Sequence, residues 1–377
     1  MKVYLDHAAT TPLDERVLQK MLPCFTQNFG NPDSPHSFGR AAAVYVDEAR
    51  DTLAKELGAK PNEIFFTSGG SESDNWALRG VMHASKARKE LLVSAIEHPA
   101  ALNTAAELQK EGYTVRIVPV LPDGKIDMAA LRSLLSENTA LVAVMTANNE
   151  IGTVEPIRQI ADAAHSVGAY MMTDAVQAVG SLPVNVQSLH ADLLTLSAHK
   201  FYGPKGVGAL YVRRGVPIGK IISGGHQERA MRGGTTNVPA VVGMAEALRL
   251  ANAHTDENAK KISALRNAFV RRVLTEIPDV RYNGDACDRL PGNAHFTFDG
   301  VIGEALLFAL DIQGIAASAG SACSSGSLEP SHVLKAIGLS ETAAKSSVRF
   351  SFGKNNTEEE MHYTADTLKN LVAKMRK

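Results

Sequence analysis

Lys200 stands just beyond a short apolar run, Leu193 to Leu196, in the stretch Ser197-Ala198-His199-Lys200. The run reads as a buried strand, and a Gly/Pro-punctuated turn carries the chain on to Ala209-Leu210-Tyr211-Val212. Desolvation at such a strand end favours a neutral amine, and a neutral amine condenses with an aldehyde to give a Schiff base. A lysine that snorkels back to water is the competing reading. A second apolar run, Ala169 to Thr173, ends in Asp174. A carboxylate there could keep a pyridinium nitrogen protonated, and lysine with aspartate is the pairing expected of a pyridoxal phosphate (PLP) site.

Ligands of an open α/β sheet bind beyond the carboxyl ends of its strands, and several other polar residues fall at such positions. Gly70 and Ser71, after the strand Ile64-Phe65-Phe66, could offer backbone N–H groups and a hydroxyl to a phosphate, or simply cap a helix from about Asp74. His98, in Glu97-His98-Pro99-Ala100, could stack on a cofactor ring and move protons, or serve only as a cap. Asn149 follows the strand expected over Leu141 to Met145 and could reach cofactor or substrate. Gln177, on a helical turn expected over Ala175 to Val179, could bond a phenolic oxygen on the side Asp174 faces. Ser197 and His199 could add phosphate contacts beside Lys200.

Two further candidates lie later in the chain. Arg349, on a strand around Val348, could fork onto a substrate carboxylate or form an ordinary ion pair. Cys323 lies in Ala316 to Ser327, a Ser/Gly/Ala-rich loop, and an accessible thiol is a candidate nucleophile. Cys24 and Cys287 read as buried structural thiols.

The elements that must hold these residues alternate. Strands at Leu91 to Ser94, Thr114 to Val118 and onward to Gly208 to Val212 are separated by helical patterns, which argues for a mostly parallel sheet covered on both faces. The texture changes after a helix over Val238 to Ala253. We expect an α/β fold with a large domain over 13–255 and a smaller α+β domain formed by 1–12 with 256–377.

A chain of 377 residues suits that organisation, and a formal net charge of −1 gives no global field toward nucleic acid or an anionic membrane. Three cysteines argue against a disulfide framework and for a reducing, cytoplasmic setting. No pair has zinc-site spacing, so no metal is expected, and no apolar run approaches a membrane span.

Taken together, the motifs resemble the cysteine desulfurases of the NifS/IscS type, in the class V aminotransferase group of fold-type I PLP enzymes. The matching text runs from Tyr4-Leu5-Asp6-His7-Ala8-Ala9-Thr10-Thr11-Pro12 through Asn31-Pro32, Thr67 to Asn75, Glu97-His98-Pro99-Ala100 and Asn148-Asn149-Glu150-Ile151-Gly152. It continues through Thr173-Asp174-Ala175-Val176-Gln177, Ser197 to Gly208, Gln227 to Thr235, and Ser321-Ala322-Cys323-Ser324-Ser325-Gly326.

The resemblance implies that Lys200 bonds PLP and moves the substrate Cα proton, Asp174 pairs with the pyridinium nitrogen, Gln177 with the phenolic oxygen, and His98 stacks on the ring. Gly70, Ser71, Ser197 and His199 would hold the phosphate, with Thr235 reaching in across a homodimer interface. Asn149 and Arg349 would hold the carboxylate of L-cysteine, and Cys323 would take its sulfur as a persulfide, leaving L-alanine. A sulfur-acceptor protein, such as an iron–sulfur scaffold or a tRNA thiolation enzyme, would follow. The long loop before Glu329-Pro330-Ser331-His332 resembles the NifS/IscS branch more than the SufS-like one. Asp33 and Ser71 depart from the serine and threonine more usual there, and Ser71 keeps the hydroxyl. A selenocysteine lyase or aminotransferase on the same fold, and a non-catalytic sulfur carrier, are the alternatives.

Overall fold

The structure, a computed structural model, describes residues 1–319 and 330–377. Twelve strands lie among the described residues: β1 (Val3–Tyr4), β2 (Ile64–Thr67), β3 (Glu90–Ser94), β4 (Thr114–Val118), β5 (Thr139–Ala143), β6 (Tyr170–Asp174), β7 (Leu193–Ser197), β8 (Gly208–Val212), β9 (Val280–Tyr282), β10 (Asn293–Phe298), β11 (Ile315–Ala316) and β12 (Ser347–Ser351).

Seven of them form one sheet in the order β2-β8-β7-β6-β5-β3-β4. Strands β3 to β7 pair in parallel, and β8 runs antiparallel to both its neighbours. Strands β3, β5 and β7 are buried along their whole length, as apolar runs must be when helices cover both faces. Strand β4 closes one edge and is half exposed, and its Arg116 pairs with the buried Glu90 at 2.7 Å. A charged edge of this kind discourages pairing with another chain.

The ladder of β5 begins two residues earlier than its apolar run predicts. Thr139 belongs in it because its hydroxyl donates to Glu90 at 2.8 Å, so a polar residue starts a buried strand. Met145 falls beyond the ladder, where its N–H donates to the Glu97 carboxylate at 2.7 Å. The helix expected from Asp74 starts instead at Gly70 and runs to Ala84.

No helix forms over Ala175 to Val179. The segment is a hydrogen-bonded turn in which the N–H groups of Ala178 and Val179 both donate to the Ala175 carbonyl, at 3.0 and 2.9 Å. Gly180 then turns the chain at φ +77°, where a Cβ would stand 2.6 Å from Phe201 Cβ. Cys287 is also corrected: it is exposed in a turn where Asp285 accepts from the N–H groups of Cys287 and Asp288, whereas Cys24 is buried as expected.

A second, antiparallel sheet has the order β12-β10-β9, and β1 pairs in parallel with β11. Val3, Leu5, Phe269, Phe296, Phe298, Phe350 and Leu368 share one hydrophobic core beneath the helices Thr255–Glu276 and Glu358–Met375. The N-terminal stretch therefore starts in this core, bridges β12 at Asp6 and Ser351, and crosses to the large sheet, where Thr11 N–H donates to the His199 carbonyl at 2.9 Å. No helix among the described residues is long and apolar enough to cross a membrane.

Candidate active site

Gly70, Ser71, His98, Asn149, Asp174, Gln177, Ser197, His199, Lys200 and Arg349 all line one cavity at the carboxyl ends of the parallel strands. The elements explain the convergence. Strands β4 and β5 leave β3 on opposite sides, which makes a topological switch point, and His98 follows β3 directly. Asp174 ends β6, Ser197 ends β7, and a single turn of 3-10 helix, Ala198–Lys200, lifts His199 and Lys200 over the rim.

Lys200 is held by backbone. Its Nζ donates to the carbonyls of Ala8 and Ala9 at 2.6 and 2.8 Å. Gln177 Nε2 donates to the same Ala8 carbonyl at 3.0 Å, so the N-terminal loop ties two site residues together. Thr10 Oγ1 lies 3.1 Å from His199 Nδ1. Burial and the positive charges of Lys200 and Lys205 bring His199 down to about 4, which leaves it neutral near pH 7.

Asp174 is almost wholly buried, and its Oδ1 accepts from Val176 N–H at 2.8 Å. Burial pushes the acid upward, while His98, the Val176 N–H and Lys200 draw it back toward the charged form. His98 caps the helix Pro99–Lys110: its Nδ1 accepts from Ala100 N–H at 3.1 Å. In the neutral ring, the form burial favours, the hydrogen is then on Nε2. Cap and pocket wall are thus the same residue.

Arg349 is deeply buried, its side chain only 1% accessible. It pairs with Asp6 at 2.8 Å, and its Nη1 donates to the Asn149 carbonyl at 2.7 Å. The Arg349 end of the ion pair is therefore buried and structural, and the same guanidinium lines the cavity where a ligand would sit. Gly70 opens a helix of 15 residues whose first two, Gly70 and Ser71, line the pocket. A Cβ there would meet Val176 Cγ2 at 2.8 Å, so only glycine lets that backbone approach.

Thr235 stands apart. It is exposed and lines a different cleft with Ser68, Arg232 and Thr236. Cys323 lies outside the described residues. The sequence reading missed the carbonyls of Ala8 and Ala9, because a backbone acceptor leaves no mark in residue type. It also missed Asp74 and Glu150, two buried acids on the cavity wall.

The profile of the family Aminotransferase class-V matches residues 3–363. The chain belongs to that family. Among the class-V aminotransferase relatives, a protein of Dictyoglomus turgidum called "Cysteine desulfurase IscS" is 47% identical over 376 residues, covering 100% of this chain and 95% of that protein. A solved structure called "NIFS-LIKE PROTEIN" superposes with a TM-score of 0.93 at 37% identity, covering 99% of this chain and 100% of that one. Another, "SspA in complex with cysteine", gives 0.83 at 33% identity over 94% of this chain and 100% of that one.

The fold is accordingly the fold-type I arrangement of PLP enzymes within the class-V aminotransferases. The cavity also fits PLP by its own chemistry: a lysine amine, a buried carboxylate, an imidazole wall and a helix N-terminus for phosphate face one space.

Proposed function

We infer that the cavity is the PLP site of a cysteine desulfurase, and the observation that carries this is the opening of Lys200 and Asp174 into one cavity with Arg349. The protein is a PLP-dependent cysteine desulfurase that converts L-cysteine to L-alanine and transferable sulfur.

PLP, when bound, supplies the electron sink that loosens bonds at the substrate Cα. Lys200 Nζ would hold it through its aldehyde carbon, with loss of water, and would then move the Cα proton. Asp174 would hold the proton on its pyridine nitrogen, Gln177 would donate to its phenolic oxygen, and His98 would wall the ring. Backbone N–H groups at Gly70 and Ser71, with Ser71, Ser197 and His199 side chains, hold the phosphate. Arg349 and Asn149 orient the substrate carboxylate. Cys323 Sγ, as thiolate, attacks the substrate sulfur: an S–S bond forms, the Cβ–S bond breaks, and its electron pair stays with carbon, which takes a proton to become the alanine methyl. Cys323 keeps the sulfane as a persulfide for an acceptor protein.

Thr235, exposed in its own chain, is assigned to the phosphate of a partner's pocket in a homodimer. The separate core that joins Val3 and Leu5 to residues beyond 255 supports a division into 13–255 and 1–12 with 256–377. The sparse cysteines support a cytoplasmic setting. The acceptor belongs to iron–sulfur assembly, tRNA thiolation or a related pathway.

The test is stoichiometric. Holoenzyme given L-cysteine and a thiol reductant should release L-alanine and sulfide in equal amounts; pyruvate in place of alanine, or alanine without sulfide, would sink the reading. Arg349→Lys keeps the charge but loses the fork. It is expected to raise KM for L-cysteine about tenfold, roughly 1.4 kcal/mol, with the cofactor absorbance unchanged.

A further inference from the structure

Beneath the Asp174 carboxylate lies a second buried acid that the assigned roles do not use. Asp74 sits on the first turns of the helix Gly70–Ala84, is 1% exposed, and still reaches the cavity wall. Between the two acids stands Thr195, fully buried on β7 and directly opposite Asp174 in the parallel ladder with β6. Thr195 Oγ1 lies 2.7 Å from Asp74 Oδ1, and the ladder register sets Thr195 beside Asp174, within reach of its carboxylate. We propose that Asp74 is a positioning residue for the cofactor, acting through the Thr195 hydroxyl to fix the Asp174 carboxylate against the pyridine nitrogen. The inference rests on the assignment of Asp174 to that nitrogen.

Charge decides which acid keeps a proton. Asp174 faces His98 and Lys200 and accepts from a backbone N–H, all of which favour its charged form. Asp74 faces the carboxyls of Asp174 and Glu97. Two close buried carboxyls cannot both ionise cheaply, so the proton belongs on Asp74. Burial, reinforced by Asp174, pushes Asp74 well up, in agreement with that placement. The protonated Asp74 then donates to Thr195 Oγ1, and the hydroxyl's own hydrogen turns to Asp174. A hydroxyl gives one hydrogen and accepts others, so the relay has a direction, and Asp174 is its charged end.

Three variants of the full chain separate this relay from a merely structural acid. Asp74→Ala removes its first member, Thr195→Val removes its middle at nearly constant volume, and Asp74→Asn keeps a neutral donor of the same shape. The readouts are PLP affinity by reconstitution of the apoprotein and the pH midpoint of the holoenzyme's visible band. Asp74→Ala and Thr195→Val are each expected to weaken PLP about tenfold and to shift the midpoint by about one pH unit, because Asp174 is then less firmly charged.

Asp74→Asn should stay within about twofold of wild type, and the double variant Asp74→Ala/Thr195→Val should be no worse than either single one. Unchanged affinity and midpoint in both single variants would overturn the proposal. So would an Asp74→Asn variant that behaves like Asp74→Ala, since a buried charge would then be acting. Thermal midpoints of the apoproteins show whether each variant folds; if Asp74→Ala does not, Thr195→Val carries the test. A wild-type protein that takes up no PLP would refute the assignment of Asp174 itself, a different failure from that of the relay.

Discussion

Lys200→Ala is expected to lower cysteine turnover at least about a thousandfold, a loss of roughly 4 kcal/mol of transition-state stabilisation. The visible band of bound cofactor should vanish with it. The reason is that the same Nζ bonds the cofactor and moves the substrate proton, and no second lysine lines the cavity among the described residues. The substitution has a structural cost as well. The Ala8 and Ala9 carbonyls lose a charged donor that helps tie the N-terminal loop to the large sheet, leaving Gln177 on Ala8. A charged donor of this kind contributes about 1.5–3 kcal/mol, so the thermal midpoint of the apoprotein should fall too. Lys200→Arg separates the effects: it can still donate to the loop but cannot form the imine, so it should recover part of the stability and none of the activity. Turnover that survived in either variant would remove the central assignment.

Cys323→Ser is expected to cut alanine and sulfide output by at least about a hundredfold, because a hydroxyl is a far weaker nucleophile toward sulfur than a thiolate. Cofactor binding and the spectral change on adding L-cysteine should persist, since Lys200, Asp174, Asn149 and Arg349 are untouched. Activity that survived would reassign the protein to lyase or aminotransferase chemistry. Cys287→Ser is the matched control. That thiol is exposed, yet it sits in the Asp285 turn outside the cavity, and its loss should leave output within about twofold.

Both outcomes depend on how the pocket is assembled, and much of that assembly is legible in residue order. Leu193 to Leu196 and Ala169 to Thr173 are buried strands because a parallel sheet covered on both faces admits little but apolar side chains. Lys200 and Asp174 follow their runs closely, so their arrival at one sheet end was fixed by the chain itself. The same holds for His98, whose position before Pro99 makes it a helix cap as well as a pocket wall.

Other features were settled by contacts distant in sequence. The segment Ala175 to Val179 has the composition of a helix, but the close approach of Gly180 to Phe201 turns it aside, and Gln177 reaches the site from a turn. Cys287 looked like a core thiol and proved exposed, because the carboxylate of Asp285 organises its backbone in a surface turn. Arg349 gave no sign in its own strand that Asp6, 343 residues away, would pair with it. Residue type and short-range order thus determined which groups carry the chemistry and which strand ends present them. The fold alone decided that the carbonyls of Ala8 and Ala9 hold the lysine, and that Thr195 stands between two acids. A backbone oxygen has no letter in the sequence, and a buried proton is placed by the charges packed around it.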